Sequence, residues 1–306
     1  MVGKKKANRC SIGDSCGLTC ISKTKICRKV LNEKVNEYLD KKVSENGGVE
    51  TSAVSLQDFE ERIKSLNTKS AEDIKEAEEL FDSLPPKVSS AWAEEIMEYK
   101  WGYEDSEKVQ SFVDDGLSDG EALAMAGWLS LNEYGDINKA IYNPKDLLIE
   151  EYLTMRHANR LIKQAASKLP PANKDDMEKL AKEKGIEKWE TLPEGRFRRG
   201  IQVSAGQAEE ILGKYQNVIG KSITEETNFA ITNLASSPFM ETANVVFEVK
   251  AKVDGTGKGI ALDKYKGYNY EGEILYPAGQ KFNVISAQRA GGPGETLMVI
   301  ELEEGT

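Results

Sequence analysis

The sequence predicts an α+β chain, with a helical N-terminal half and a β-rich C-terminal half. Three observations predict it. As far as Lys188, apolar residues recur at three- and four-residue spacing. After Gly195, short β-branched and aromatic runs take over, divided by Gly, Asp and Pro. The two kinds of segment are also segregated along the chain, which argues against an alternating parallel sheet. A chain of 306 residues can hold one large domain or two small ones around a buried core.

All four cysteines, Cys10, Cys16, Cys20 and Cys27, fall within the first 27 residues, in "RCSIGDSCGLTCISKTKIC". Such clustering marks residues 1–28 as a unit. Four thiolates can hold a structural zinc, and two disulfides can staple a segment too short for its own core. The gaps of five, three and six residues are not the tight Cys-x-x-Cys pattern, so both alternatives stand. Residues 29–88 read as a charged helical extension: "KVLNEKVNEYLDKKV", "SLQDFEERIKSL" and "SAEDIKEAEELFDSL". Asn46-Gly47-Gly48 separates the first two, and Pro85-Pro86 marks a boundary.

The remaining span, 89–306, reads as the main domain. "LSDGEALAMAGWLSL" opens with a capping box, Ser118 to Glu121, and "DLLIEEYLTMRHANRLIKQAASKL" is a long helical pattern. Pro170-Pro171 and the charged run to Lys188 form a loop or a short helix. "RFRRGIQV" reads as a strand, and "SAGQAEEILGKYQ" as a helix capped by Ser204 and Gln207. "NFAITNL", "ANVVFEVKAKV", "GIALD", "EILYPAGQKFNVISAQRA" and "TLMVIELEE" read as strands.

The net charge of −10 disfavours binding to nucleic acid through phosphate neutralisation. No stretch approaches the roughly 20 apolar residues needed to span a bilayer. The basic start, Met1 to Lys6, lacks the apolar run of a signal peptide, so a cytoplasmic protein, or one packaged in a virion and delivered to a host cytoplasm, is expected. With a single histidine, any nucleophile–His–acid triad would depend on His157, which lies in a helical pattern where packing is the simpler role.

"NYEGEILYPAG" carries two glutamates, Glu271 and Glu273, around Gly272. Residues two apart in a strand project from one face, so both acids are expected on the same side. Charge guarding an edge strand would also account for them. The wider run "GYNYEGEILYPAGQKFNV" closely resembles the Glu-x-Glu segment of arginine-specific mono-ADP-ribosyltransferases. There, such a strand continues into Leu-x-Pro-x-Gly-x-x-Phe, matched here by Leu275, Pro277, Gly279 and Phe282.

"FRRGI" resembles that family's aromatic-Arg-Gly strand. This places the NAD-binding arginine at Arg199, before Gly200, with Arg198 in the usual aromatic position. "WLSLNEYGDINKAI" resembles its Tyr-x-x-Ile-Asn helix through Tyr134, Ile137 and Asn138. The middle strand departs from aromatic-x-Ser-Thr-Ser. Phe229 keeps the aromatic, Ile231 replaces the first serine, and Thr232 and Asn233 follow, with a register one or two residues different left open. The resemblance covers roughly Ser89 to Glu304.

The resemblance implies an ADP-ribosyltransferase-like fold whose β half is two small packed sheets, and an enzyme of phage or bacterial effector type. NAD is the implied substrate, and an exposed arginine of a target protein the acceptor. Glu273 would stabilise the oxocarbenium-like state at the ribose, Glu271 would orient and deprotonate the acceptor guanidinium, and Arg199 would grip the pyrophosphate. Gly200, Phe229, Thr232 and Asn233 complete the expected NAD site. Tyr265, Tyr268 and Tyr270 either meet the target, stacking on its guanidinium, or pack the sheet edge. An NAD glycohydrolase with the same site, and a structural or virion-associated protein using the fold for binding, are the alternatives. The N-terminal extension is expected to dock on a particle or partner.

Overall fold

A computed structural model describes residues 55–101, 106–130, 133–187, 191–193, 195–236, 238–266, 270–290 and 297–305, with the backbone of 14–16 and 19–21. Those first two strands, β1 (Asp14–Cys16) and β2 (Thr19–Ile21), pair antiparallel. The cysteine side chains, and with them the question of zinc or disulfides, lie outside the described residues, as does the first helix expected in the extension. The helices run in order α1 (Leu56–Ile63), α2 (Ala71–Ser83), α3 (Pro86–Trp101), α4 (Ser106–Asp114), α5 (Asp119–Trp128), α6 (Glu133–Tyr142), α7 (Ile149–Ala166), α8 (Lys174–Glu183), α9 (Ala205–Gln216) and α10 (Pro238–Glu241). No helix among the described residues is long and apolar enough to cross a membrane.

The chain forms two compact units, one of Met1–Ser106 with Leu123–Ala158, the other of Glu107–Ala122 with Asn159–Thr306. In the first, Ser55 and Ser70 cap α1 and α2 by accepting from the backbone N–H groups of Asp58 and Asp73. Pro86 opens α3, where its missing N–H costs nothing. Phe59, Phe81 and Trp92 bring α1, α2 and α3 together, with ring centroids 5.3–6.1 Å apart. Each such buried ring contributes roughly 2–3 kcal/mol. The boundary expected at residue 88 therefore lies inside this unit. His157 is buried edge-on to Phe81, with centroids 6.0 Å apart, in the packing role its helical setting suggests.

In the second unit, the capping boxes form at both predicted helix starts, Ser118 with Glu121 and Ser204 with Gln207. The charged run after Pro170-Pro171 resolves into α8, with Asn173 as its cap. The strands β3 (Arg196–Ile201), β4 (Ser222–Glu225), β5 (Phe229–Thr232), β6 (Val245–Lys250), β7 (Ile260–Ala261), β8 (Glu273–Tyr276), β9 (Gln280–Ala290) and β10 (Leu297–Glu304) lie in the order β4-β9-β10-β6-β3-β5-β8-β7. Among the described residues, only β10 and β6 are parallel neighbours. β4 is not evident in the sequence, because "SITE" offers one apolar residue in four.

The order is continuous but thin at one point, where β3 and β5 share the single partner pair Arg198↔Thr232. On either side of that joint lie a five-stranded and a three-stranded part. Their apolar faces meet in one core that includes Phe197, Phe247, Phe282, Phe229, Ile274 and Tyr276, with Leu212 and Tyr215 of α9. Edge-to-face rings seal it: Phe229–Phe247 at 5.5 Å and Tyr276–Phe282 at 5.0 Å. The two small sheets expected are thus parts of one eight-stranded order joined through a single pair, and that joint carries the residues described next.

Candidate active site

Glu273 is the first residue of β8, while Glu271 lies just before it. Between them Gly272 has φ +57°, so strand alternation is not what gathers the acids. A cation does. The Lys266 ammonium pairs with the carboxylates of both Glu271 and Glu273. The Lys266 side chain is 10% exposed, against 15% for Glu273 and 47% for Glu271. Burial opposes the charge on Lys266. The two carboxylates outweigh it, Glu273 most, and hold the ammonium above the ordinary lysine range.

The glycine has a specific cause. A Cβ on Gly272 would collide with the Asn233 side-chain oxygen, and the left-handed backbone disfavours any L side chain. A Gly272→Ala chain is expected to lose about 2–3 kcal/mol of unfolding free energy. Urea unfolding checks this effect, and parental stability in the variant would contradict it.

Residues of β5 and just beyond it hold the acidic segment by its main chain. The Thr232 hydroxyl donates to the Glu271 carbonyl, and the Asn233 N–H donates to the Gly272 carbonyl at 3.0 Å. Thr232 is also the register partner of Glu273, whereas Ile231 is buried in the core. The hydroxyl beside Glu273 is therefore that of Thr232, one residue after Ile231.

Strand pairing sends the two adjacent arginines to opposite faces. Partner residues across a sheet share a face, and Arg198 pairs with Thr232, which pairs with Glu273. Arg198, Thr232 and Glu273 thus form one row on one face, spanning two strand spacings or about 10 Å. Gly200, two residues on from Arg198, shares that face. Arg199 pairs with Phe247 and lies with its guanidinium 4.8 Å from the Phe229 ring centre, on the opposite, core-lining face. Two arginines follow Phe197 in the sequence, and strand alternation tells them apart. The Arg198 guanidinium donates through Nε and Nη2 to Glu248, at 3.1 and 2.9 Å.

Other expected site residues are placed differently too. Phe229 is a core residue, 3% exposed. Tyr265 is stacked on Phe112 at 3.9 Å and donates to Asp115 at 2.6 Å. Tyr270 is buried, its hydroxyl accepting from the Asn233 amide at 3.3 Å. Both tyrosines pack, the second of the two roles open to them. Tyr268 and the side chain of Tyr134 lie outside the described residues, while Ile137 and Asn138 are buried on α6. Two contributors were missed in the sequence, Lys266 and Asp263, although "LDKYKGYNYEGE" places both within ten residues of the acids. The usable signal was an Asp starting a turn, a residue type that bonds nearby backbone N–H groups. Among the described residues, no cluster of His, Cys, Asp and Glu could hold a metal ion.

The family model described as ADP-ribosyltransferase exoenzyme matches residues 100–304. Among solved structures, the chain is similar to Plx2a, an ADP-ribosyltransferase toxin from Paenibacillus larvae, at 16% identity and a TM-score of 0.44, covering 70% of this chain and 96% of that one. It is similar to exoenzyme S from Pseudomonas aeruginosa, solved with human 14-3-3 protein beta and carba-NAD, at 17% identity and a TM-score of 0.44, covering 71% and 88%. It is also similar to the type III effector XopAI from Xanthomonas axonopodis pv. citri, at 11% identity and a TM-score of 0.42, covering 90% and 93%. No curated protein matches it.

Proposed function

Because this chain belongs to the ADP-ribosyltransferase exoenzyme family, a family of transferases that use NAD, we propose that it transfers ADP-ribose to arginine side chains of a target protein. The observation that carries the arginine preference is the convergence of Glu271 and Glu273 on one buried ammonium, that of Lys266. Two carboxylates that hold one cation between them suit an incoming guanidinium, which presents paired donors in a fixed fork.

In the proposed reaction the bond between nicotinamide and ribose breaks, with the electron pair leaving on nicotinamide. Glu273, largely buried, stabilises the positive charge that develops on the ribose. A guanidinium nitrogen then bonds to the ribose carbon and gives up a proton. Glu271, half exposed at the edge of the pair, orients that nitrogen and accepts the proton. Arg198 takes the pyrophosphate, supported by its place in the row with Thr232 and Glu273. That contact requires the guanidinium to exchange Glu248 for phosphate oxygens. Thr232 and Asn233 act through the main chain of the acidic segment.

Incubation with NAD labelled on its adenylate, together with a cell lysate, tests the proposal. Label on arginine residues of lysate protein is expected; label confined to free ADP-ribose would contradict it. The Glu271→Ala chain is expected to lose arginine labelling at least 50-fold while retaining much of its NAD hydrolysis, since water needs no guanidinium orientation. Equal loss of both activities would contradict the separate roles of the two acids.

A further inference from the structure

We infer that Asp263 is a positioning residue that sets the direction of both catalytic acids by clamping the main chain that carries them. Its carboxylate accepts from three consecutive backbone N–H groups: Glu271 at 2.5 Å and Gly272 at 3.1 Å on Oδ1, and Glu273 at 2.7 Å on Oδ2. Asp263 is 2% exposed. A switch of backbone hand turns successive N–H groups toward one point, and Gly272 at φ +57° supplies that switch. The glycine makes a concave anion site out of the acidic segment, and the chain fills that site with its own side chain.

The rest of the segment is fixed from the other side, where the carbonyls of Glu271 and Gly272 accept from Thr232 and Asn233. Every main-chain hydrogen-bonding group of Glu271 and Gly272 is therefore committed, and their φ and ψ angles are held. Asp263 also opens the short 3₁₀ turn Asp263–Tyr265 that leads to Lys266, so one residue links the acids to the cation between them. Burial pushes the carboxyl pKa of Asp263 up, and the N–H donors and Lys266 work against that. Misplacing a reacting group by about 1 Å costs on the order of 100-fold in rate, so the clamp bears on turnover more than on NAD affinity.

This inference rests on the proposed transferase reaction, and its test separates the two. Asp263→Asn keeps the shape of the side chain but turns one acceptor into a donor that opposes at least one of the three N–H groups. Nicotinamide release by the full chain is expected to fall 30- to 100-fold in kcat, with KM for NAD within about twofold. Backbone amide exchange at residues 271–273 is expected to be slow in the parent and fast in the variant.

Glu304→Gln is the matched control. Glu304 is also a buried carboxylate and accepts from the N–H groups of Lys252 and Lys258 at 2.9 and 2.5 Å, outside the acidic segment. It should lower Tm without the kcat loss. If Asp263→Asn does not fold, Asp263→Ser, which retains one acceptor oxygen, takes the same measurements.

Parental kcat in the folded variant would overturn the positioning role alone, as would a loss matched by Glu304→Gln at equal Tm. Unprotected amides at 271–273 in the parent would do the same. A parent that releases no nicotinamide at all would overturn the reaction, and the positioning role with it.

Discussion

The Glu273→Gln chain is expected to transfer no detectable ADP-ribose and to lose nicotinamide release by roughly 10³-fold, about 4 kcal/mol of transition-state stabilisation. The amide has nearly the shape of the carboxylate but no charge to set against the ribose cation. Glu273 is the more buried of the two acids, where a fixed charge acts through less water and is worth more. The substitution leaves the Glu273 N–H on Asp263 and the register with Thr232 intact, so the fold should persist. Kinetics of nicotinamide release, with Tm measured alongside, check this. A folded variant within tenfold of the parent would remove Glu273 from the chemistry.

The second large effect is expected at the arginine pair. Arg198→Lys should raise KM for NAD by about 10- to 100-fold, because a lysine point charge cannot reproduce bidentate bonds to phosphate. Arg199→Lys should leave KM near the parent value and act on stability instead, since its guanidinium lies over Phe229 on the core face. A cation–π contact of that kind is worth about 0.5–2 kcal/mol. NAD titrations of both variants distinguish the residues, and the reverse pattern would return the pyrophosphate to Arg199.

The sequence signals that succeeded were local or periodic. Ser118 with Glu121 and Ser204 with Gln207 announced two helix starts because a capping box is written within four residues. The change from helical to strand spacing near Gly195 announced the α+β division. The Glu-Gly-Glu stretch could be singled out because its neighbours Leu275, Pro277 and Gly279 carry a readable pattern.

What the sequence left unread depends on contacts distant in sequence or on the hand of one residue. Arg198 and Arg199 are adjacent, and only pairing with Thr232, 34 residues on from Arg198, decides which faces Glu273. The tyrosines near the acids left target contact and packing both open, and Tyr265 packs on Phe112, which lies some 150 residues earlier in the chain. The grouping of Glu271 with Glu273 was expected from strand alternation and is achieved by a left-handed glycine and a lysine. Packing around Pro85-Pro86 was hidden from the sequence for a related reason. Proline punctuates local structure, but Phe59 and Phe81 pack across it onto Trp92.

The central claim is that two acids shaped around a cation pass ADP-ribose to a guanidinium. Its most direct test is NAD turnover by the parent chain with and without a small guanidinium compound, with products resolved by mass spectrometry. The account predicts one ADP-ribosyl-guanidine for each nicotinamide released and a rate that rises with guanidinium concentration. Free ADP-ribose as the sole product, at a rate indifferent to the guanidinium, would contradict it.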